Sequence, residues 1–303
     1  MSNRLFYDRG GGGYGRAWAQ RWLDGHQTWA VPGPRLDPSR YGVAHVIEPA
    51  ARAFSTRHHY LTSWVASTRR RFGLFDITVI PAQLVGVAVM AIPPNKAVLT
   101  NVFPTLEPYK ESLVLARLVL LDEVPWSAES MFMGEVCRLA ADDGIRGVIM
   151  DSDPVPRYRP DGHGGMEIYM PGPVGTVYQA CGFRHLGHTD PQSQWLLPDG
   201  LVVSRRSLQK IRAKEQGHAY AEAQLVEHGA KSMQDGEDPR VWLRRAKHAT
   251  GARSVRHPGY HRYAVPLGTS RRQRDKVLIA GEPQPYPKKH QGQLELDLFG
   301  AMA

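Results

Sequence analysis

LVLARLVLLDEVPWSAESMFMGEVCRLAADDGIRGVIMDSDP, residues 113–154, decides the fold class. Leu113 to Leu121 is an apolar run of strand length, interrupted only by Arg117. Pro125 to Ser130 reads as a turn with a helix-start signal, in which Ser127 has the chemistry of an N-cap. Ala128 to Asp142 follows as an amphipathic helix, and Ile145 to Met150 as a second apolar strand ending in the acidic turn Asp151-Ser152-Asp153-Pro154. Further on, GTVYQACGF, residues 175–183, places a short helix at Thr176 to Cys181.

Working outward, Gly73 to Ile80 and Gln83 to Met90 read as successive strands joined by a Pro-containing turn. Phe183 to Gly187 and Ser193 to Val203 are short closing strands, and Tyr260 to Leu267 is a last strand. Ile47 to Arg71 is expected as a helical pair; Leu208 to Ala230 and Val241 to Ala246 are expected as helices. The loop Pro93 to Lys110 is long enough for a lid or a substrate wall. The fold class is therefore α+β, with early antiparallel strands and a later strand–helix–strand unit.

Ala116-Arg117-Leu118-Val119, then Pro125 to Ser130, Asp153-Pro154 and Gly175 to Ala180 resemble, in that order, the Mom family of bacteriophage DNA-modification proteins. His59-Tyr60 upstream and a basic, His-rich region ending in Tyr286-Pro287-Lys288 extend the likeness, which runs with gaps from Phe54 to Lys288. The resemblance implies the GNAT acyltransferase fold, a central mixed sheet with two splayed strands and flanking helices. An acyl-CoA lies in that gap, its pyrophosphate against the unpaired N–H groups of the next helix. It also implies transfer of a carbamoylmethyl or acyl-type group to N6 of adenine in DNA, an anti-restriction role, bound iron, and acetyl-CoA or a related donor.

Net charge refines the partner. Residues 1–204 carry 19 Lys+Arg against 19 Asp+Glu, residues 205–290 carry 19 against 8, and the last 13 carry two acids, which gives the total of +9. A basic excess confined to the C-terminal third points to a polyanion, nucleic acid by default, and the family likeness implies double-stranded DNA. Hydrophobic residues are 42% and charged residues 22%, and no apolar run approaches the roughly 20 residues of a membrane span. A cytoplasmic, non-membrane protein is expected, in the host cytoplasm for a phage protein. Cys137 and Cys181 lack metal or disulfide spacing and read as packing thiols.

Arg117, inside an apolar strand, needs a carboxylate or a substrate anion, because a buried guanidinium without one is costly. Asp151 or Asp153 can serve. On the family likeness Arg117, Ser127 and Ser130 line the donor site, and Tyr178 matches the acid that protonates a departing thiolate. The same likeness brings His59, Tyr60 and Asp153 together as iron ligands, a donor set that iron accepts, with Asp151 as the alternative carboxylate. Catalytic candidates are thus Tyr178, Asp153 and Arg117. Glu129 departs from the usual GNAT phosphate-binding pattern. Arg69, Arg70, Arg71, Arg205, Arg206, Arg244, Arg245, Arg262, Arg271 and Arg272 are candidate phosphate contacts, and His257 to Tyr263 reads as a surface facing nucleic acid.

The expected organisation is an irregular Gly/Pro-rich arm at 1–45, a GNAT-like core at 46–204, a basic extension at 205–290 and a tail at 291–303. Val155 to Pro173 is an insertion relative to shorter family members. In the tail, Gln293, Leu296, Leu298 and Phe299 resemble the anchors of the short peptide that binds the bacterial sliding clamp. Two other readings remain: a plain GNAT N-acetyltransferase acting on a protein, a small amine or a hypermodified pyrimidine, and a noncatalytic DNA- or clamp-associated factor.

Overall fold

The computed structural model describes residues 19–23, 26–30, 36–59, 61, 64–125 and 127–288. Tyr60, the glycine run near the start and the tail residues Gln293 to Phe299 lie outside them. The strands are β1 Ala19–Leu23, β2 His26–Ala30, β3 Tyr41–His45, β4 Thr68–Asp76, β5 Gln83–Ala91, β6 Ser112–Leu120, β7 Gly147–Ser152, β8 Pro156–Pro160, β9 Met166–Pro171, β10 Arg184–His188, β11 Gln192–Leu196, β12 Val202–Val203, β13 Arg253–His257 and β14 His261–Pro266. The helices are α1 Glu48–His58, α2 Ala97–Thr100, α3 Ala128–Asp142, α4 Thr176–Ala180, α5 Arg205–Ala213, α6 His218–Glu227, α7 Pro239–Ala249 and α8 Arg271–Asp275.

Seven strands form the main sheet in the order β10-β14-β7-β6-β5-β4-β3. All neighbours are antiparallel except β6 and β7, which are parallel and joined across α3. Both faces are covered. Phe132, Met133 and Val136 of α3 pack with Leu113, Leu115 and Met150 on one side, while Ala51 of α1 meets Val87 and Val89 on the other. Beside α1, Phe103 packs on Ile149 and Ala264. Gly147 lets Phe103 lie there, since a Cβ at 147 would stand 2.7 Å from its ring.

The parallel pair is short. Ser112 to Leu115 align with Gly147 to Met150, but β6 continues to Leu120 with partners on the β5 side alone. At the point of parting, the β5–β6 register steps from Met90↔Leu115 to Val89↔Arg117, leaving Ala116 as an extra residue. A bulge twists its strand locally, and here it turns β6 away from β7. The expected α+β sheet with splayed strands is therefore present.

Several expectations change. Arg69, Arg70 and Arg71 lie on β4 rather than on a second helix, because Phe72 and Leu74 bury on a sheet face in the same run. Asp151 and Ser152 prolong β7, paired with Arg262 and His261 of β14. The insertion at Val155 to Pro173 is a hairpin, β8 with β9. The helix expected over Leu208 to Ala230 divides into α5 and α6, with positive φ at Lys214 and Gly217 between them.

The largest correction concerns the basic third. β14 sits inside the main sheet, so residues 205–290 are not an extension beyond a core that ends at 204. Instead, residues 192–257 are a lobe inserted between β10 and β14. The lobe has its own sheet, β12-β11-β13, and its own core around Trp195, Leu208, Ile211, Leu225 and Trp242. No helix among the described residues is long and apolar enough to cross a membrane.

Candidate active site

The splay lies between β6, which carries Arg117, and β7, which leads into Asp153. His59 is the C-cap of α1, where its N–H donates to Ser55 O and its Nδ1 accepts from Leu61 N at 3.0 Å. Burial, and then the Arg117 charge beside it, push His59 down to about 3, so at neutral pH it is uncharged. The structure thus sets His59, at the end of α1, near Arg117 of the bulged strand. Arg117 Nη1 also donates to Ala116 O at 2.7 Å, tying the guanidinium to the bulge.

At the start of α3, Ser127 does not cap. Its backbone is already near-helical (φ −90°, ψ −1°) and its hydroxyl reaches no N–H of the first turn; instead Ser130 Oγ donates to Ser127 O at 3.0 Å. Both serines line a cavity of about 990 Å³ between α3, α4 and the end of β14, which Arg274 also lines. Glu129 is buried in this same turn. A carboxylate therefore stands close to where the N–H groups of α3 would hold an anion. Cys137 and Cys181 also line the cavity, and burial pushes their thiols up to about 12 and about 11, as packing residues require.

Asp153, just beyond β7, is a hub. Its Oδ1 accepts from His257 Nε2 at 2.8 Å and from Val155 N at 3.0 Å, and its Oδ2 is bound by Arg157. Gly259 N donates to His257 Nδ1 at 3.1 Å, which fixes the tautomer with the proton on Nε2, toward Asp153. Tyr260 stacks on the His257 ring at 4.6 Å. Burial acts to raise the Asp153 carboxyl, but the His257 hydrogen bond and the Arg157 charge outweigh it and hold the group below the ordinary carboxylate range. Asp151 is engaged elsewhere, by both Nε (2.9 Å) and Nη2 (2.8 Å) of Arg262. The two aspartates expected near Arg117 are thus each gripped by a different arginine.

Tyr178 projects from α4, with its ring 5.4 Å from Tyr263 and 6.4 Å from Phe183. Gly175 starts α4 at φ +76°, and a Cβ there would meet Tyr263 at 2.5 Å and Tyr178 at 3.0 Å, so the close packing of both tyrosines needs glycine. Ser152 Oγ donates to Pro173 O at 2.7 Å, holding the end of β7 against the approach to α4. Asp153 and Tyr178 therefore flank one end of the sheet. Beside them, His185, His188 and His261 cluster on β10 and β14. Burial, and then its two neighbours, bring His261 down to about 4.

The described residues do not fit a bound iron. No group of three His, Cys, Asp or Glu among them can hold a metal, and Asp153 has both oxygens committed, one to a guanidinium that would repel a cation. Tyr60 lies outside the described residues. The expected phosphate contacts also divide. Arg70, Arg71, Arg206, Arg245, Arg262 and Arg271 are in ion pairs with Asp143, Glu48, Glu215, Glu237, Asp151 and Asp275. Arg69, Arg205, Arg244 and Arg272 are exposed, with no ion pair among the described residues. The surface expected at His257 to Tyr263 is largely interior: His257, His261 and Tyr263 are buried.

Residues 40–158 match the model of the Mom protein family. Over that span the chain is similar to the Mom family. The matched span contains the bulge, Arg117, the start of α3 and Asp153. It stops before Tyr178 and the inserted lobe. In fold the chain is similar to a spermidine N-acetyltransferase from Vibrio cholerae solved with CoA and spermine, at 8% identity and TM-score 0.34, covering 76% of this chain and 96% of that one. It is also similar to a tandem GNAT protein from the clavulanic acid biosynthesis pathway, at 12% identity and TM-score 0.28, covering 73% and 64%. No curated protein matches it.

Sequence reasoning missed His257 and Arg157 as partners of Asp153. Arg157 lies four residues from Asp153, but His257 is 104 positions away, and no local pattern joins them.

Proposed function

We propose that this Mom-like chain is a GNAT-like transferase that places a carbamoylmethyl or acyl-type group on an exocyclic amine of DNA, N6 of adenine. The observation that carries the reading is the position of the family match, whose span contains the splay and the polar groups at its mouth. Arg117 and the cavity lined by Ser127 and Ser130 take the donor, acetyl-CoA or a related acyl carrier. With Glu129 buried in the first turn of α3, phosphate binding there relies on groups beyond that turn, and Arg274 supplies a positive charge in the cavity lining. For a thioester donor, the amine nitrogen bonds to the acyl carbon, the carbon–sulfur bond breaks, Tyr178 gives the departing sulfur a proton, and the proton lost by the nitrogen returns through solvent to the Tyr178 oxygen. An N6 amine within a duplex needs its base turned out of the stack before such chemistry. No step is assigned to a metal.

Nucleoside mass spectrometry of DNA from cells expressing the chain is the test. A new adenosine-derived mass is expected. Unmodified DNA together with an acetylated protein or polyamine would overturn the DNA reading in favour of a plain N-acetyltransferase. The tail, Gln293 to Phe299, is proposed in addition to dock on the sliding clamp, since Leu296, Leu298 and Phe299 offer roughly 1.5 to 3 kcal/mol each on burial before ordering costs. A tail peptide that does not bind purified clamp at about 100 micromolar, a concentration suited to weak peptide affinities, would remove that partner.

A further inference from the structure

The inserted lobe carries 12 Lys+Arg against 7 Asp+Glu over residues 192–257. Its basic groups are not spread evenly. Trp242, Leu243 and Ala246 turn one side of α7 into the lobe's core, which leaves Arg240, Arg244 and Lys247 at i, i+4 and i+7 on one stripe of the helix. Lys247 Nζ donates to Ser254 Oγ at 2.8 Å, so the stripe abuts β13. Arg256, two residues beyond Ser254, lies on the same face of that strand and is exposed. No carboxylate among the described residues pairs with any of these four cations. The acid at the end of the row, Asp238, is occupied in capping α7 through Arg240 N and Val241 N. Arg245, by contrast, is consumed by Glu237.

β13 connects this row to the site. Arg256 and its successor His257 point to opposite faces of the strand, one toward the basic row and the other to Asp153 at the end of β7. A phosphate backbone lying along α7 and β13 would therefore be held beside the mouth of the splay. We propose that Arg240, Arg244, Lys247 and Arg256 form the duplex-DNA docking track of this protein. The inference rests on the DNA reading above and specifies where the duplex binds. The inserted lobe, which lies outside the matched span, is then a backbone-binding module. Such contacts are independent of sequence, and each releases counterions on binding.

The test is duplex binding by the full chain across a salt series. Four substitutions, Arg240→Gln, Arg244→Gln, Lys247→Gln and Arg256→Gln, are compared with an equal charge removal elsewhere on the lobe at Lys210, Arg212, Lys214 and Lys231. The track variant is expected to lower the slope of log affinity against log salt by about 3 to 4, at roughly 0.9 per phosphate contact, while the control changes it by less than about 1 on the same scale. Should the track variant melt early, Arg240→Gln with Arg244→Gln, at exposed positions away from Ser254, is expected to give half the change. Equal losses in both sets, or an unchanged slope in the track variant, would overturn the track and leave nucleoside modification standing. A wild-type chain that does not bind duplex at low salt would overturn both the track and the DNA reading.

Discussion

Tyr178→Phe is expected to slow modification by about 100- to 10 000-fold, the range for loss of a positioned general acid, with the melting temperature within about 3 °C of wild type. The phenyl ring retains its contacts with Tyr263 and Phe183, so packing is conserved and only the hydroxyl is lost. Tyr263 is the control. Its hydroxyl donates to Val174 O at 2.5 Å and accepts from Gln179 Nε2 at 3.0 Å, and burial pushes it up to about 12. A phenol held in this way is a structural strut and a poor acid. Tyr263→Phe should therefore cost stability, about 1 kcal/mol for each lost hydrogen bond, with a much smaller effect on rate. Modified nucleoside formed per unit time, measured beside thermal melts, separates the two; a wild-type rate in Tyr178→Phe would remove this residue from the chemistry.

The central unit was legible because its signals are local. Ala128 to Asp142 begins and ends where the sequence places it, since apolar spacing at helical period is conclusive over a run of that length. β7 was displaced by two residues because Asp151 and Ser152 look like turn residues until β14 pairs with them. Arg69 to Arg71 looked like a helix end because a short charged cluster has no period. What fixed it as a strand is the burial of Phe72 and Leu74 against distant partners. The inserted lobe was invisible for the same reason. Strand order is set by pairing across long separations, and a contiguous basic segment gives no sign that its last strand, β14, returns to the sheet.

Arg117 stands out in the sequence because a guanidinium in an apolar strand demands an explanation, and Tyr178 through its resemblance to a family motif; the roles of both are proposals. Partners were not legible. Arg117 was expected to meet a carboxylate or a substrate anion; the structure also sets His59 near it and holds that imidazole neutral, which lowers the electrostatic cost of their proximity. The string His257 to Tyr263 was read as surface because His, Tyr and Arg are polar. Alternation along β13 and β14 buries every second one of these residues instead, and the buried His257 is the residue that grips Asp153.

Asp153→Asn should destabilise the protein by about 3 kcal/mol, the lower end for breaking a buried ion pair by removing one partner. At roughly 2 to 4 °C per kcal/mol for a chain of this size class, melting falls by about 6 to 12 °C. The side chains of Asp153, Arg157 and His257 are 9%, 12% and 1% exposed, and an amide nitrogen cannot accept from either donor. Asp151→Asn supplies the comparison. That carboxylate is 32% exposed and pairs with an arginine 20% exposed, so solvent screens the loss to about 1 kcal/mol or less. The pH dependence follows from the lowered Asp153 carboxyl. A group whose folded pKa lies below its unfolded value stabilises the protein above the unfolded value, near 3.8, and loses that contribution as pH falls through the folded one. The melting gap between wild type and Asp153→Asn should therefore be full at pH 7 and close as the solution is acidified below about 4. A gap of less than about 2 °C at pH 7, under 1 kcal/mol on the same conversion, would show that the hub contributes little to folding and that Asp153 is free to serve chemistry alone.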